Sequence, residues 1–218
     1  MCRCYVTPAA ASLTREFSLV ETGWQFPANF NTVPAAAVPA IRGQEGRIAG
    51  VLQRWGLGKN RTFNVRIEKL ATSPISRAPW NHGRRCIIPA LGFYEWHVNP
   101  DGTKQPYYIH ADSQDVFGFA GLWERSRADA NAVTESCVMI TVPANALMAE
   151  IHNSKTRMPA ILTREQHDLW LFADPPAAGA ALAAYPEERM IAYPVSTRVD
   201  SPHNTDETLL EPLETDVD

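Results

Sequence analysis

Long apolar runs are missing from this chain of 218 residues. No stretch approaches the roughly 18 consecutive apolar residues that a membrane-spanning helix requires. The first twenty residues are interrupted by Arg3, Arg15 and Glu16 and offer no hydrophobic stretch of the kind a secretory signal carries. We therefore expect a soluble, cytoplasmic protein with no membrane partner. Cysteine is scarce, with four residues at positions 2, 4, 86 and 137. In a chain that is 45% hydrophobic, and so able to bury a sizeable core, this usage points to reduced thiols and not to a disulfide framework. Internal repeats are absent, and the length suits one domain.

Positive charge is lacking overall, at a formal net of −4, which taken alone speaks against a nucleic-acid partner. Its distribution says otherwise. Residues 41–110 hold eleven Lys and Arg against four Asp and Glu, whereas residues 111–218 hold seven against eighteen. A basic central segment of this kind suits a phosphate-binding groove, although single arginines are more often solvated surface residues. From Asp200 onward there are seven acids and no Lys or Arg. We expect a domain over 1–200 followed by a mobile or loosely packed acidic tail over 201–218.

Strand signals come in series, each short and rich in β-branched or aromatic residues: Ile48–Gln53, Thr62–Ile67, Arg85–Ile88, Phe93–Val98, Tyr107–His110, Val116–Trp123, Cys137–Val142 and Met190–Ser196. Asn99-Pro100-Asp101-Gly102, with Pro second and Gly fourth, predicts a type I turn and hence an antiparallel hairpin that carries Glu95 on its first strand. Helices are expected over 12–19, 144–151, 164–173 and 177–184, the third opened by Thr163 and Gln166 in capping-box spacing. Val33–Pro39, with two prolines, reads as a polyproline-like tie across the surface. A β-rich middle without βαβ alternation gives an α+β fold: a single domain with a mostly antiparallel, barrel-like or strongly curved sheet and flanking helices.

Cys2 is the residue with the most distinctive chemistry. Removal of Met1 would leave an α-amine and a thiol on adjacent carbons, and a 1,2-aminothiol closes on an aldehyde as a five-membered thiazolidine. Most proteins with Cys after Met make no use of it. Cys2-x-Cys4 with His82 and Cys86 fits no common structural-zinc spacing, so neither a metal nor a cofactor is expected.

Four separated segments raise the weight of Cys2: Met1-Cys2-Arg3-Cys4, Asn64-Val65-Arg66, Gly92-Phe93-Tyr94-Glu95-Trp96, and Ile151-His152-Asn153-Ser154-Lys155-Thr156-Arg157-Met158-Pro159. With Arg54–Leu57, Ile88–Ala90, Phe119–Glu124 and Asn145, in that order, they resemble the SRAP family of SOS response-associated peptidases, or abasic-site-processing proteins. The resemblance runs from residue 1 to about residue 200. It implies that Cys2 forms a covalent thiazolidine link with the ring-opened aldehyde of an abasic site in single-stranded DNA. It implies that Asn64 positions the amine and sugar, Glu95 moves protons, His152 acts at the sugar oxygen during ring opening, and Arg66 holds a phosphate. Arg157, Arg84 and Arg85 are further candidates for phosphate contact, with Arg66 and Arg157 preferred, and Trp55 and Trp96 for stacking on bases. Trp80, Trp123 and Trp170 we assign to the core. A carboxylate flanked by Phe93, Tyr94 and Trp96 would be partly desolvated, its pKa raised toward the range useful for an acid and base. The expected protein is a monomer that meets its strand at the replication machinery and the nucleoid.

The chain departs from the family pattern in three places. Members usually begin Met-Cys-Gly-Arg, whereas here Arg3 and Cys4 follow Cys2, so the fourth-position arginine and its DNA contact are absent unless Arg3 substitutes for it. The segment between Leu57 and Asn64 is short and lacks a tryptophan. Asn153–Thr156 is longer than the commonest version. Two other readings stay open: an N-terminal-nucleophile thiol autopeptidase or amidohydrolase, and a noncovalent reader of single-stranded or modified DNA.

Overall fold

A computed structural model describes residues 2–19, 22, 24–44, 46–58, 62–112, 116–129 and 132–214. In chain order its elements are β1 (Tyr5–Thr7), α1 (Ala10–Glu16), β2 (Asn29–Thr32), β3 (Ala37–Gln44), β4 (Arg47–Trp55), β5 (Asn64–Arg66), α2 (Arg77–Asn81), β6 (Arg85–Ala90), β7 (Gly92–Val98) and β8 (Lys104–Ala111). They continue with β9 (Phe117–Asp129), β10 (Ala132–Pro143), α3 (Ala146–Ile151), β11 (Arg157–Pro159), β12 (Ile161–Leu162), α4 (His167–Phe172), α5 (Pro175–Ala180) and β13 (Met190–Pro194). The fold is α+β, and every strand expected from the sequence is present within a few residues.

Hydrogen bonding sorts these strands into two sheets. The first has the order β13-β8-β7-β1-β2 and is antiparallel throughout. The second runs β11-β10-β4-β3-β6-β9-β12, and because β9 also pairs with β10 the pairing returns on itself as a curved ring. Asn99–Gly102 turns as its residues require: Gly102 N–H donates to the Asn99 carbonyl at 2.9 Å, and Thr103 N–H to the Asp101 carboxylate at 2.9 Å.

Side chains alternate across the first sheet, and this splits the core in two. Tyr5 and Phe93 face the ring, where Tyr5 meets Trp55 edge-on at 5.3 Å and Phe119 at 5.8 Å. Cys4, Val6, Tyr94, Trp96 and Tyr108 face the other way, under Val195, Val199 and Leu209. Gly92 begins β7 because a Cβ there would sit 2.3 Å from the Tyr108 ring.

Three expectations are corrected. The passage over 33–39 is not a surface tie, since its end enters β3, where Val38, Pro39 and Ala40 are buried. Pro39 is tolerated because pairing with β6 begins only at Ile41, leaving that edge without a ladder bond to lose. The acidic segment is not loosely packed as far as residue 214: the Asn31 amide donates to the carbonyls of Val199, Ser201 and Asn204 at 3.0–3.1 Å, and Leu209 is buried. Its last residues, 215–218, lie outside the described residues. The first helix lies over 10–16 and not 12–19, and β1, β2, β3, β11, β12 and α2 had no counterpart in the sequence reading. Among the described residues, no helix is long and apolar enough to cross a membrane.

Candidate active site

Cys2 is fixed by its backbone before its side chain is considered. Cys4 accepts a hydrogen bond from Tyr94 N–H at 3.2 Å and Val6 one from Leu91 N–H at 2.9 Å, so the amino-terminal segment runs beside β7. From the second sheet, the Asn64 side-chain amide donates to the Cys2 carbonyl at 2.7 Å. The Cys2 thiol is fully buried and donates to the Cys4 carbonyl at 3.4 Å. Burial pushes it well above the ordinary thiol range, with the charge of Glu95 and then Cys4 adding to the rise. The thiol is therefore held protonated. Burial raises Cys4 as well, to about 12.

Glu95 projects from β7 and is 2% exposed. Desolvation raises its carboxyl to about 7, against the pull of Lys155 and Arg3. His152 caps the C-terminus of α3, a helix of good formers opened by Asn145, whose side-chain oxygen accepts from Met148 N–H at 2.8 Å. The His152 Nδ1–H donates to the Arg157 carbonyl at 2.8 Å and lies 3.7 Å from Glu95 Oε1. A carbonyl can only accept, so in the neutral ring the proton is on Nδ1 and the lone pair is on Nε2. Burial lowers the pKa of His152, favouring that neutral form.

Glu95 and His152 open onto a pocket of about 220 Å³ that is also lined by Arg3, Trp96, Lys104 and Lys155. The Arg3 guanidinium lies 4.4 Å from the centre of the Trp96 ring and pairs with Asp200 at 2.8 Å. Trp96 is 8% exposed, and its indole N–H has no partner among the described residues.

The other expected contacts divide. Arg66 is exposed beside Asn64. Arg157 is buried, and its fork is filled by the Glu68 carboxylate at 2.6 and 3.1 Å and the Thr141 carbonyl at 2.6 Å. Trp55 is corrected from a base-stacking candidate to a core residue: it has no exposed surface, and its indole N–H donates to the Phe63 carbonyl at 2.9 Å. Arg85 is likewise corrected, since it is 3% exposed and donates to the Trp170 and Ala173 carbonyls, well inside the protein. Trp80 and Trp170 are in the core, whereas Trp123 is only partly buried, with Arg42 4.5 Å and Arg84 5.8 Å from its ring centre. Lys104, Lys155, Glu68 and Asp200 were missed. Lys155 stood in plain view three residues from His152, and Glu68 two from Arg66, but nothing in the sequence marked Lys104 or Asp200.

A family model described as SOS response associated peptidase (SRAP) matches residues 1–202. The chain belongs to the SRAP family. This SRAP protein is 35% identical over 201 residues to "Abasic site processing protein YoqW" of Bacillus subtilis, covering 86% of this chain and 87% of that one. It is 31% identical over 157 residues to "Abasic site processing protein YedK" of Escherichia coli, covering 69% and 67%. A chicken relative, "Abasic site processing protein HMCES", is 31% identical over 177 residues, 71% of this chain and 51% of its own. The SRAP fold is shared with a crystal structure from Bacteroides thetaiotaomicron, TM-score 0.85 at 24% identity over 97% of this chain and all of that one.

Proposed function

We propose that this protein processes abasic sites in single-stranded DNA by capturing the ring-opened aldehyde on Cys2 once Met1 has been removed. The amine attacks the aldehyde carbon and water leaves to give the imine. The sulfur then adds to the carbon of the protonated imine as the thiol proton departs, and the C=N electron pair returns to nitrogen, so that the ring nitrogen ends neutral with one water lost overall. Glu95 is suited to both proton steps, because a carboxyl with a pKa of about 7 is present in both forms near neutrality. It accepts the thiol proton as the carbon–sulfur bond forms. His152, neutral and oriented by Arg157, acts at the sugar oxygen during ring opening.

The observation that carries this reading is the environment of the Cys2 main chain. Asn64 holds its carbonyl, and the Asn64 side-chain oxygen is buried with no partner among the described residues, an acceptor that supports a role toward an amine freed at position 2. Lyase activity is expected to emerge when the thiol is lost, since an untrapped imine invites β-elimination. The test is to incubate the purified protein with an abasic oligonucleotide and resolve heat-stable adducts on a denaturing gel without borohydride. Wild type should give an adduct that Cys2→Ala does not. Equal adduct from Cys2→Ala, or peptide hydrolysis with no adduct, would overturn the proposal.

A further inference from the structure

The loop between His152 and Arg157 is a built structure. The Asn153 side chain bonds both polar groups of the Val98 backbone, accepting from its N–H at 3.1 Å and donating to its carbonyl at 2.9 Å. Lys155 and Thr156 both donate their N–H to the His152 carbonyl, at 3.1 and 2.9 Å, and the Thr156 carbonyl accepts from Ala144 N–H at 3.1 Å. Thr156 has φ +48°, a left-handed conformation that is strained for a β-branched residue and persists only where the surroundings impose it.

What this strain delivers is Lys155. The loop carries its side chain to the wall of the pocket that holds Glu95 and His152, and its charge lowers the pKa of both. The neighbouring cations are differently engaged. Arg3 is paired with Asp200 and lies against Trp96, and Arg157 is locked by Glu68, whereas Lys155 forms no ion pair among the described residues. It is an exposed ammonium at the rim of a site meant for a polyanion.

We propose that Lys155 is a phosphate ligand of the pocket, its ammonium taking one backbone phosphate that flanks the sugar held at Cys2. This rests on the abasic-site reading, and the contact orients the sugar toward Glu95 and His152. Lys155→Met removes the charge and Lys155→Arg keeps it. Neither touches the core, so both should melt with wild type.

The test has two parts. Binding to an intact single-stranded oligonucleotide, followed against NaCl, needs no covalent step. Lys155→Met should bind several-fold more weakly, with a log–log salt slope shallower by about 0.7, the value for one lost single-strand phosphate contact, while Lys155→Arg should retain both. Cross-linking to an abasic strand is then followed against pH. The groups facing Glu95 are Cys2, Arg3, Cys4, His152 and Lys155, with Lys104 on the wall of the same pocket. Losing Lys155 should move the limb set by Glu95 to higher pH, and Lys155→Arg should restore it. Wild-type affinity and salt slope in Lys155→Met would overturn the proposal. Loss of slope in Lys155→Met with no adduct from wild type would uphold this contact and overturn the covalent reading instead.

Discussion

Asn64 and Cys2, 62 positions apart in sequence, are joined by a 2.7 Å hydrogen bond that crosses from the second sheet to the segment entering the first. The bond ties the Cys2 main chain to β5. Asn64→Ala leaves a buried carbonyl without its donor, a cost of about 1–3 kcal/mol, and should lower both the melting temperature and the rate of abasic capture. Asn64→Asp should capture more poorly than Asn64→Ala, because a carboxylate cannot donate and sets its charge against the carbonyl. Capture by Asn64→Asp at the wild-type rate would show that the bond plays no part.

Glu95 gives the protein a stability that depends on pH. A carboxyl raised by burial from 4.5 to about 7 binds its proton more firmly folded than unfolded, so it weakens the fold as pH rises through that interval. The loss is on the order of 3 kcal/mol. His152, with its pKa lowered from 6.5, acts in the opposite sense below that value, so the informative quantity is a difference between two proteins that both retain it. Urea unfolding at pH 5 and pH 8 should show wild type losing more stability than Glu95→Gln. Equal losses would rule out the buried carboxyl as the cause.

Arg157 supports the site whether or not it ever meets DNA. Its fork bonds Glu68 twice and the Thr141 carbonyl once, a pattern a lysine cannot reproduce. Arg157→Lys should cost about 1–3 kcal/mol and loosen His152, whose ring is oriented by the Arg157 carbonyl. Thermal unfolding together with the pH profile of capture reads both effects; an unchanged melting temperature would remove the structural role.

Asn31 docks the carboxy-terminal segment through three carbonyls. Asn31→Ala should leave the ring intact and open residues 199–214, seen as faster amide exchange there than elsewhere. Since Asp200 tethers Arg3, the same variant should also free that guanidinium, strengthening binding to intact single strands. Unchanged exchange across the segment would refute the docking role.

What could be read in the sequence was what local chemistry controls. Pro100 and Gly102 specified the turn after β7, and Thr163 with Gln166 specified a helix start, which forms with Thr163 N–H donating to the Gln166 side chain at 2.9 Å. Trp55 and Arg85 went astray because a side chain's face depends on partners. Trp55 shares the inner face of β4 with Gln53, and Arg85 opens a strand buried along its whole length. The uninterrupted apolar run after Arg85 carried that information, since a strand covered on both faces takes its first residue inside too. The meeting of Cys2, Asn64, Glu95 and His152 could not be derived from spacing. These residues come from the amino-terminal segment, two sheets and a helix end, and only the family resemblance joined them beforehand. Lys155 escaped because an exposed lysine in a polar loop looks like any other until the loop's strain and pinning are seen.

The place of β1 between β7 and β2 bears on how the molecule is made. Cys2 is translated before its seat is complete, since β7 begins about ninety residues later and His152 comes later still. On the proposed reading, the nascent chain therefore carries a nucleophile without its proton-transfer partners. Assisted reaction with stray aldehydes waits until translation is nearly done, a form of timing written into strand order.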